Sequence, residues 1–198
     1  MNTAALYSPP LSQAEVPDKG VGCRDLLGVL DEAPKRKSFG GHESPVMGKD
    51  EWLTPPEIIR ALGDFDLDPS APETRPWEMA RRHYTWRDNG LLLPWAGRVW
   101  LNPPYGTECS KWLGRLAEHG DGCALVFART ETEMWFDHVW PKAAGILFLR
   151  GRLHFYHVSG KRADGNAGAP SALIAYGAAN VRALQDSKLP GALWTPNV

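Results

Sequence analysis

The chain predicts an α/β fold, with a mostly parallel sheet and helices on both faces. Three observations carry that expectation. Strand-length apolar runs alternate with segments of helical periodicity. Two of the runs, CALVF at 123–127 and GILFL at 145–149, are almost continuously apolar, the pattern of strands buried on both faces. The length of 198 residues, 43% hydrophobic and 23% charged, suffices for one domain with a real core.

The elements follow in order. Residues 1–47 are rich in Pro, Gly, Ser and mixed charge, with helical spacing only around 25–30; they read as a flexible N-terminal arm. Within it Lys35, Arg36 and Lys37 read as a solvated charge cluster. The folded domain is expected over 48–187. Thr54 is placed to cap a helix, with Pro55 at the first helical position and Glu57 closing a capping box. That helix covers 57–62 and stops at Gly63. A short strand at 65–68 is halted by Pro69. Residues 72–96 are polar and irregular, with some helix expected at 77–82. A strand at 97–101 precedes a helix at 108–119, whose Cys109, Trp112, Leu113 and Leu116 share one face. After the strand at 123–127, residues 131–140 look helical up to Pro141. Strands at 145–149, 153–158 and 172–176 follow, then a short helix at 178–185. Residues 188–198 read as a C-terminal tail.

Bulk properties narrow the function. No apolar run approaches the roughly 18 residues that span a bilayer, and the first residues show no secretory pattern. Cys23, Cys109 and Cys123 are widely spaced, and the histidines lack metal-ligand spacing, so neither a disulfide framework nor a metal is expected. A reducing cytoplasm is the expected setting. A net charge of −1 gives no general attraction to nucleic acid, so any DNA contact must come from a local basic patch.

The sharpest local feature is GRVWLNPPYG at 97–106. Pro103 and Pro104 fix their φ angles, and Asn102 and Pro103 are held extended by the proline that follows each. The loop is therefore stiff, and its carbonyls point in set directions. The Asn102 side chain adds another acceptor. Two converging acceptors suit an NH2 group, and Tyr105 offers a flat face for a planar ring. A planar ring with an amino group is adenine or cytosine. Accepting both amino hydrogens draws the nitrogen toward a tetrahedral shape and frees its lone pair to attack an electrophilic carbon. Strand-end geometry also sets Asp68 beside Asn102, in the crevice beyond the carboxyl ends of the strands.

The order of motifs resembles the phage-type, Dam-like DNA N6-adenine methyltransferases. It comprises EWLTP at 51–55, FDLDPSA at 65–71, DNGL at 88–91 with Pro94 and Trp95, the run 97–106, ARTET at 128–132 with Trp135, and FLRGRL at 148–153 with Phe155. The resemblance spans about residues 50–177. It implies a Rossmann-like methyltransferase domain using S-adenosylmethionine, acting on double-stranded DNA, of phage or prophage origin and working in a host cytoplasm. It implies a cofactor segment at Trp52, Thr54 and Pro55, with Asp68 receiving the cofactor's ammonium, Asn102 also touching the cofactor, and a catalytic loop of Asn102, Pro103, Pro104 and Tyr105. Two departures stand out. Pro-Ser-Ala follows Asp68 where related enzymes carry a glycine-rich turn, and Asn stands at 102 where many carry Asp, which leaves no general base there.

An adenine within a duplex must be turned out to reach such a loop. The expected DNA contacts are Arg150, Arg152, Lys161 and Arg162 in a glycine-rich basic segment, with Arg129 and Thr130 beyond another strand end. Arg81, Arg82, His83 and Arg87 read as surface. The loop chemistry alone also fits cytosine N4, RNA adenine or a protein amide as acceptor. A non-catalytic DNA-binding protein of this fold is the remaining reading.

Overall fold

The computed structural model describes residues 51–196, so the expected arm, its basic cluster and Cys23 lie outside the described residues. Among the described residues, nine strands and three α-helices make up most of the regular structure. They run in the order β1 (Trp52–Leu53), α1 (Pro56–Leu62), β2 (Leu67–Asp68), β3 (Arg82–His83), β4 (Val99–Leu101), α2 (Cys109–His119), β5 (Gly122–Phe127), β6 (Gly145–Leu149), β7 (Tyr156–His157), β8 (Ser171–Tyr176), α3 (Ala178–Asp186) and β9 (Gly191–Trp194). A single π-helical turn, Trp135–Val139, stands where a longer helix was expected.

Seven strands form one sheet in the order β3-β2-β4-β5-β8-β6-β9. Its first three pairings are parallel and its last three antiparallel, so the sheet is mixed rather than mostly parallel. The reason is β8. It enters between β5 and β6 and runs against both. The pattern of β8 could not announce this, because all six of its residues are buried and apolar continuity looks the same in either direction. The antiparallel β9 belongs to the sheet's far edge, where a tail was expected. All four of its residues are exposed, so it lacks the burial pattern that marks a strand in sequence.

Side-chain alternation divides the sheet's two faces. Val99, Leu101, Ala124 and Val126 meet α2 and the π-helical turn on one side. Trp100, Cys123 and Leu125 meet α1 and α3 on the other. Helices therefore cover both faces, as expected. Helix α2 buries Cys109, Trp112, Leu113 and Leu116, the predicted stripe, and ends at Gly120 in the left-handed conformation.

Other local expectations give way to tertiary contacts. Pro55 itself is the N-cap of α1, Pro56 opens the helix, and no side-chain cap bond forms. Thr54 is fully buried instead. Residues 77–81 form bends, not a helix, and lead into β3, which pairs with β2. The expected strand at 153–158 is reduced to β7, whose partner is β1 rather than the main sheet. That pairing carries the segment after β6 back to the start of the described chain. No helix among the described residues is long and apolar enough to cross a membrane.

Candidate active site at the carboxyl edge of the sheet

From β2 the chain moves outward to β3, then returns across β2 to β4 and on to β5. The winding reverses between β2 and β4. At such a switch point the connections leave in opposite directions and open a crevice beyond the carboxyl ends of the strands. Asp68 ends β2, and Asn102 directly follows β4. A cavity of about 380 Å³ opens here, within the size range of small-molecule sites.

One wall is the loop after β4. Asn102, Pro103, Pro104 and Tyr105 all line the cavity. Asn102 Nδ2 donates to the Trp52 carbonyl at 3.0 Å. A carbonyl can only accept, so this bond fixes which end of the amide is nitrogen. Asn102 Oδ1 is left buried with no partner among the described residues. Such an orphan costs free energy unless something fills it, which marks it as a place for a donor. The Asn102 backbone carbonyl accepts from Ser70 Oγ at 3.2 Å. Tyr105 stacks on Phe127, with ring centroids 4.4 Å apart and planes 20° apart, and meets the edge of Phe155. One face of the phenol ring is thus covered, and its hydroxyl is buried without a partner among the described residues. Burial holds that hydroxyl far above its ordinary range, so it stays protonated.

The floor is the turn after β2. Asp68 is 2% exposed and does not itself line the cavity. Its Oδ1 accepts from the backbone N–H of Ser70 at 3.0 Å, and Ser70, Ala71 and Pro72 form the floor above it. Burial raises the Asp68 carboxyl to about 7; the Ser70 hydrogen bonds and the positive charge of Arg75 oppose the shift. Trp52 lines the cavity, whereas Thr54 and Pro55 are buried and do not line it. Thr54 Oγ1 has no partner among the described residues.

In sequence the opposite wall is marked only by the DNGL motif, with no site residue expected in it. Thr85, Trp86, Asn89 and Gly90 line the cavity from the loop after β3, and Trp112 reaches it from α2. Gly90 is required by contact: a Cβ there would lie 2.0 Å from the Pro69 carbonyl oxygen. The DNGL motif is what survives of this packing in sequence.

Four of the expected DNA contacts follow strand ends on the same edge, outside the cavity, and Lys161 and Arg162 lie in the segment after β7. Strands β5 and β6 both run against β8 and so point the same way as β2 and β4. Arg129 and Thr130 follow β5; Arg150 and Arg152 follow β6. Arg150 and Arg152 are exposed, and Arg152 also donates to the Ala167 carbonyl at 3.2 Å. Lys161 is 3.7 Å from Asp164, and Arg162 bridges to Tyr156. The second basic cluster is largely engaged at the surface: Arg81 pairs with Asp64 and Asp66, Arg82 donates to the Ala96 carbonyl, Arg87 pairs with Glu73, and His83, whose burial favours the neutral ring, lies 3.0 Å from Glu78. Among the described residues no group of His, Cys, Asp or Glu is arranged to hold a metal ion.

A parallel half-sheet carries a cavity at its switch point, with the Asn-Pro-Pro-Tyr loop in one wall. Residues 41–181 match the family described as DNA N-6-adenine-methyltransferase (Dam), and the chain belongs to that family. It is a DNA adenine-N6 methyltransferase, and S-adenosylmethionine is its methyl donor. No curated protein and no solved structure matches the chain.

Proposed function

We propose that methyl transfer takes place in the cavity between β2 and β4, with Asn102 receiving the adenine amino group. The orphaned Asn102 Oδ1 carries this reading. It is an acceptor, held in one orientation by the Trp52 carbonyl, in a wall made stiff by two prolines. The Pro103 carbonyl is the second acceptor. Together they favour the nitrogen geometry in which the lone pair is free, and they stabilise the positive charge that grows on it. An amide cannot take the proton, so the alkylated nitrogen loses it to water. Tyr105, in the cavity wall, supplies the ring against which the target base packs.

The residues present fit the cofactor. The cavity is large enough, it is walled by Trp52, Trp86 and Trp112, and a buried carboxylate lies under its floor. S-adenosylmethionine, when bound, supplies an electrophilic methyl group. Trp52 and the turn 68–70 would hold it, with Asp68 acting on the ammonium electrostatically and by fixing Ser70. Thr54 and Pro55 support that segment from beneath. The strand reversal at β2 and β4 supports a Rossmann-like domain of the methyltransferase type. Arg129, Thr130, Arg150, Arg152, Lys161 and Arg162 form the surface for the DNA backbone, with the target base turned out into the cavity. The resemblance alone supports a phage-encoded enzyme working in a host cytoplasm.

The test is methyl transfer from labelled S-adenosylmethionine to duplex DNA, followed by nucleoside analysis of wild-type and Asn102→Ala protein. N6-methyladenine is expected from the first and very little from the second, with cofactor binding kept. Unchanged turnover in the variant would remove Asn102 from the chemistry. Label in cytosine, or none in DNA while cofactor still binds, would move the acceptor elsewhere.

A further inference from the structure

The acceptor at Asn102 is selected by a bond remote from its own loop. An amide presents a donor or an acceptor according to a half-turn about one torsion, and the Trp52 carbonyl fixes the choice here. Trp52 belongs to β1, a strand of two residues, too short to hold a carbonyl still by itself. Among the described residues β1 has one strand partner, β7: Trp52 faces His157, and Leu53 faces Tyr156. The His157 ring lies against the indole, with centroids 4.5 Å apart and planes at 44°. His157 is exposed, so its ring does not serve to fill the core. On its other side β7 pairs with the chain that returns through Arg162. The His157 N–H donates to the Lys161 carbonyl at 2.9 Å, and the His157 carbonyl accepts from the Gly160 N–H at 2.8 Å. Gly160 abuts the Pro76 ring, and Tyr156 meets Trp77 edge-on. His157 therefore stands between the backbone that orients Asn102 and the hairpin that carries Lys161 and Arg162.

We propose that His157 is a positioning residue for methyl transfer: it acts through Trp52 on the Asn102 amide, and it ties that amide to the hairpin of Lys161 and Arg162. This rests on the reading that Asn102 Oδ1 receives the adenine amino group. A half-turn of the amide would aim Nδ2 at that amino group, donor against donor, and the geometry of transfer would be lost. Directly opposed side chains of an antiparallel pair share one face and lie close enough to restrain each other. With the His157 ring against it, the indole keeps one position, and the Trp52 carbonyl keeps its own. Phosphate contacts at Lys161 and Arg162 fix the hairpin in register on the duplex. That constraint reaches Asn102 through the His157 backbone bonds, the ring pair and the Trp52 carbonyl. Duplex binding is thereby felt at the acceptor that works on its base.

The experiment is single-turnover methylation of duplex DNA by the full chain with labelled S-adenosylmethionine, beside calorimetric titration with the same duplex. His157→Ala should slow transfer about 2- to 10-fold at saturating duplex and cofactor, the worth of one cross-strand ring pair. Its dissociation constant for duplex should stay near wild type. His157→Gln should behave alike, so the comparison survives if one variant is unstable. His157→Phe keeps a planar ring and should restore most of the rate. In an Asn102→Ala background, His157→Ala should slow transfer no further, because the group it acts through is gone. Full rate in His157→Ala and His157→Gln would overturn the proposal. Equal slowing with and without Asn102 would also overturn it, and would leave the Asn102 reading standing. Full rate in Asn102→Ala alone would overturn that reading and the proposal with it. Weaker duplex binding with the saturated rate kept would make His157 a DNA contact and overturn the proposal.

Discussion

The two walls of the cavity are built by opposite rules. The loop after β4 leaves polar atoms unfilled: Asn102 Oδ1 and the Tyr105 hydroxyl are buried without partners among the described residues. In the loop after β3, the side chains of Thr85, Trp86, Arg87 and Asp88 are engaged within the protein, around Glu73 and around Asp88 itself. Unfilled buried acceptors are expensive, and a protein keeps them where a ligand completes them. Satisfied groups around an exposed aromatic ring do a different task, since they hold a surface still. In the function proposed above, the first wall is the one that reacts, and the second is the one held still.

Substitutions sharpen or break that contrast. The largest effect belongs to the reactive wall. Asn102→Ala should lower turnover by about 10²–10³-fold, the loss typical of one preorganised polar group, while the cofactor dissociation constant stays near wild type. Equal losses in turnover and in cofactor affinity would merge the two walls' roles. On the other wall, Gly90→Ala places a methyl against the Pro69 carbonyl and should cost about 1–3 kcal/mol in denaturant unfolding, as overpacking does. It should weaken cofactor binding as well, because the loop and the floor separate. A stable Gly90→Ala protein with normal affinity would show that the positioning wall tolerates movement.

The floor between the walls gives a pH signature. Asp68 titrates near 3.8 when unfolded and near 7 when buried. Between those values the folded chain keeps a proton that the unfolded chain has lost, so stability falls as pH rises from about 4 to 7 and then levels off. Asp68→Asn keeps the acceptor for Ser70 and removes the titration. Thermal midpoints of the two proteins should therefore agree best near pH 4 and separate toward pH 8, with the variant higher. A constant gap across that range would mean that Asp68 is already charged in the folded protein at low pH.

The smallest effect is expected outside the cavity. Arg150→Ala should weaken duplex binding equally across sequences and reduce the salt slope by about one unit. A sequence-dependent loss would make Arg150 a base reader instead.

The loop after β4 is legible in the amino-acid sequence, whereas of the loop after β3 only the DNGL motif is. Pro103 and Pro104 stiffen their loop wherever it is placed, because the restriction is covalent. The stripe of Cys109, Trp112, Leu113 and Leu116 fixes the buried face of α2 by its spacing alone. Continuous apolar runs likewise announce β5 and β6. By contrast, Trp86 and Glu73 are thirteen positions apart in a segment without periodicity, and only folding brings them together. The N-cap expected from Thr54 fails for the same reason: local geometry allows it, but burial takes the residue elsewhere.

The buried strands, the covered faces of the helices, the stiff Asn-Pro-Pro-Tyr loop and the family's motif order are written in the residues alone, because period, backbone restriction and residue type are local properties. The direction of β8, the membership of β9 and the pairing of β1 with β7 come from the fold, since strand partners are chosen by contacts remote in the chain. The fold also selects which Asn102 atom is left for a ligand. That depends on a carbonyl at Trp52, fifty positions away, and on the physical fact that a carbonyl accepts but never donates.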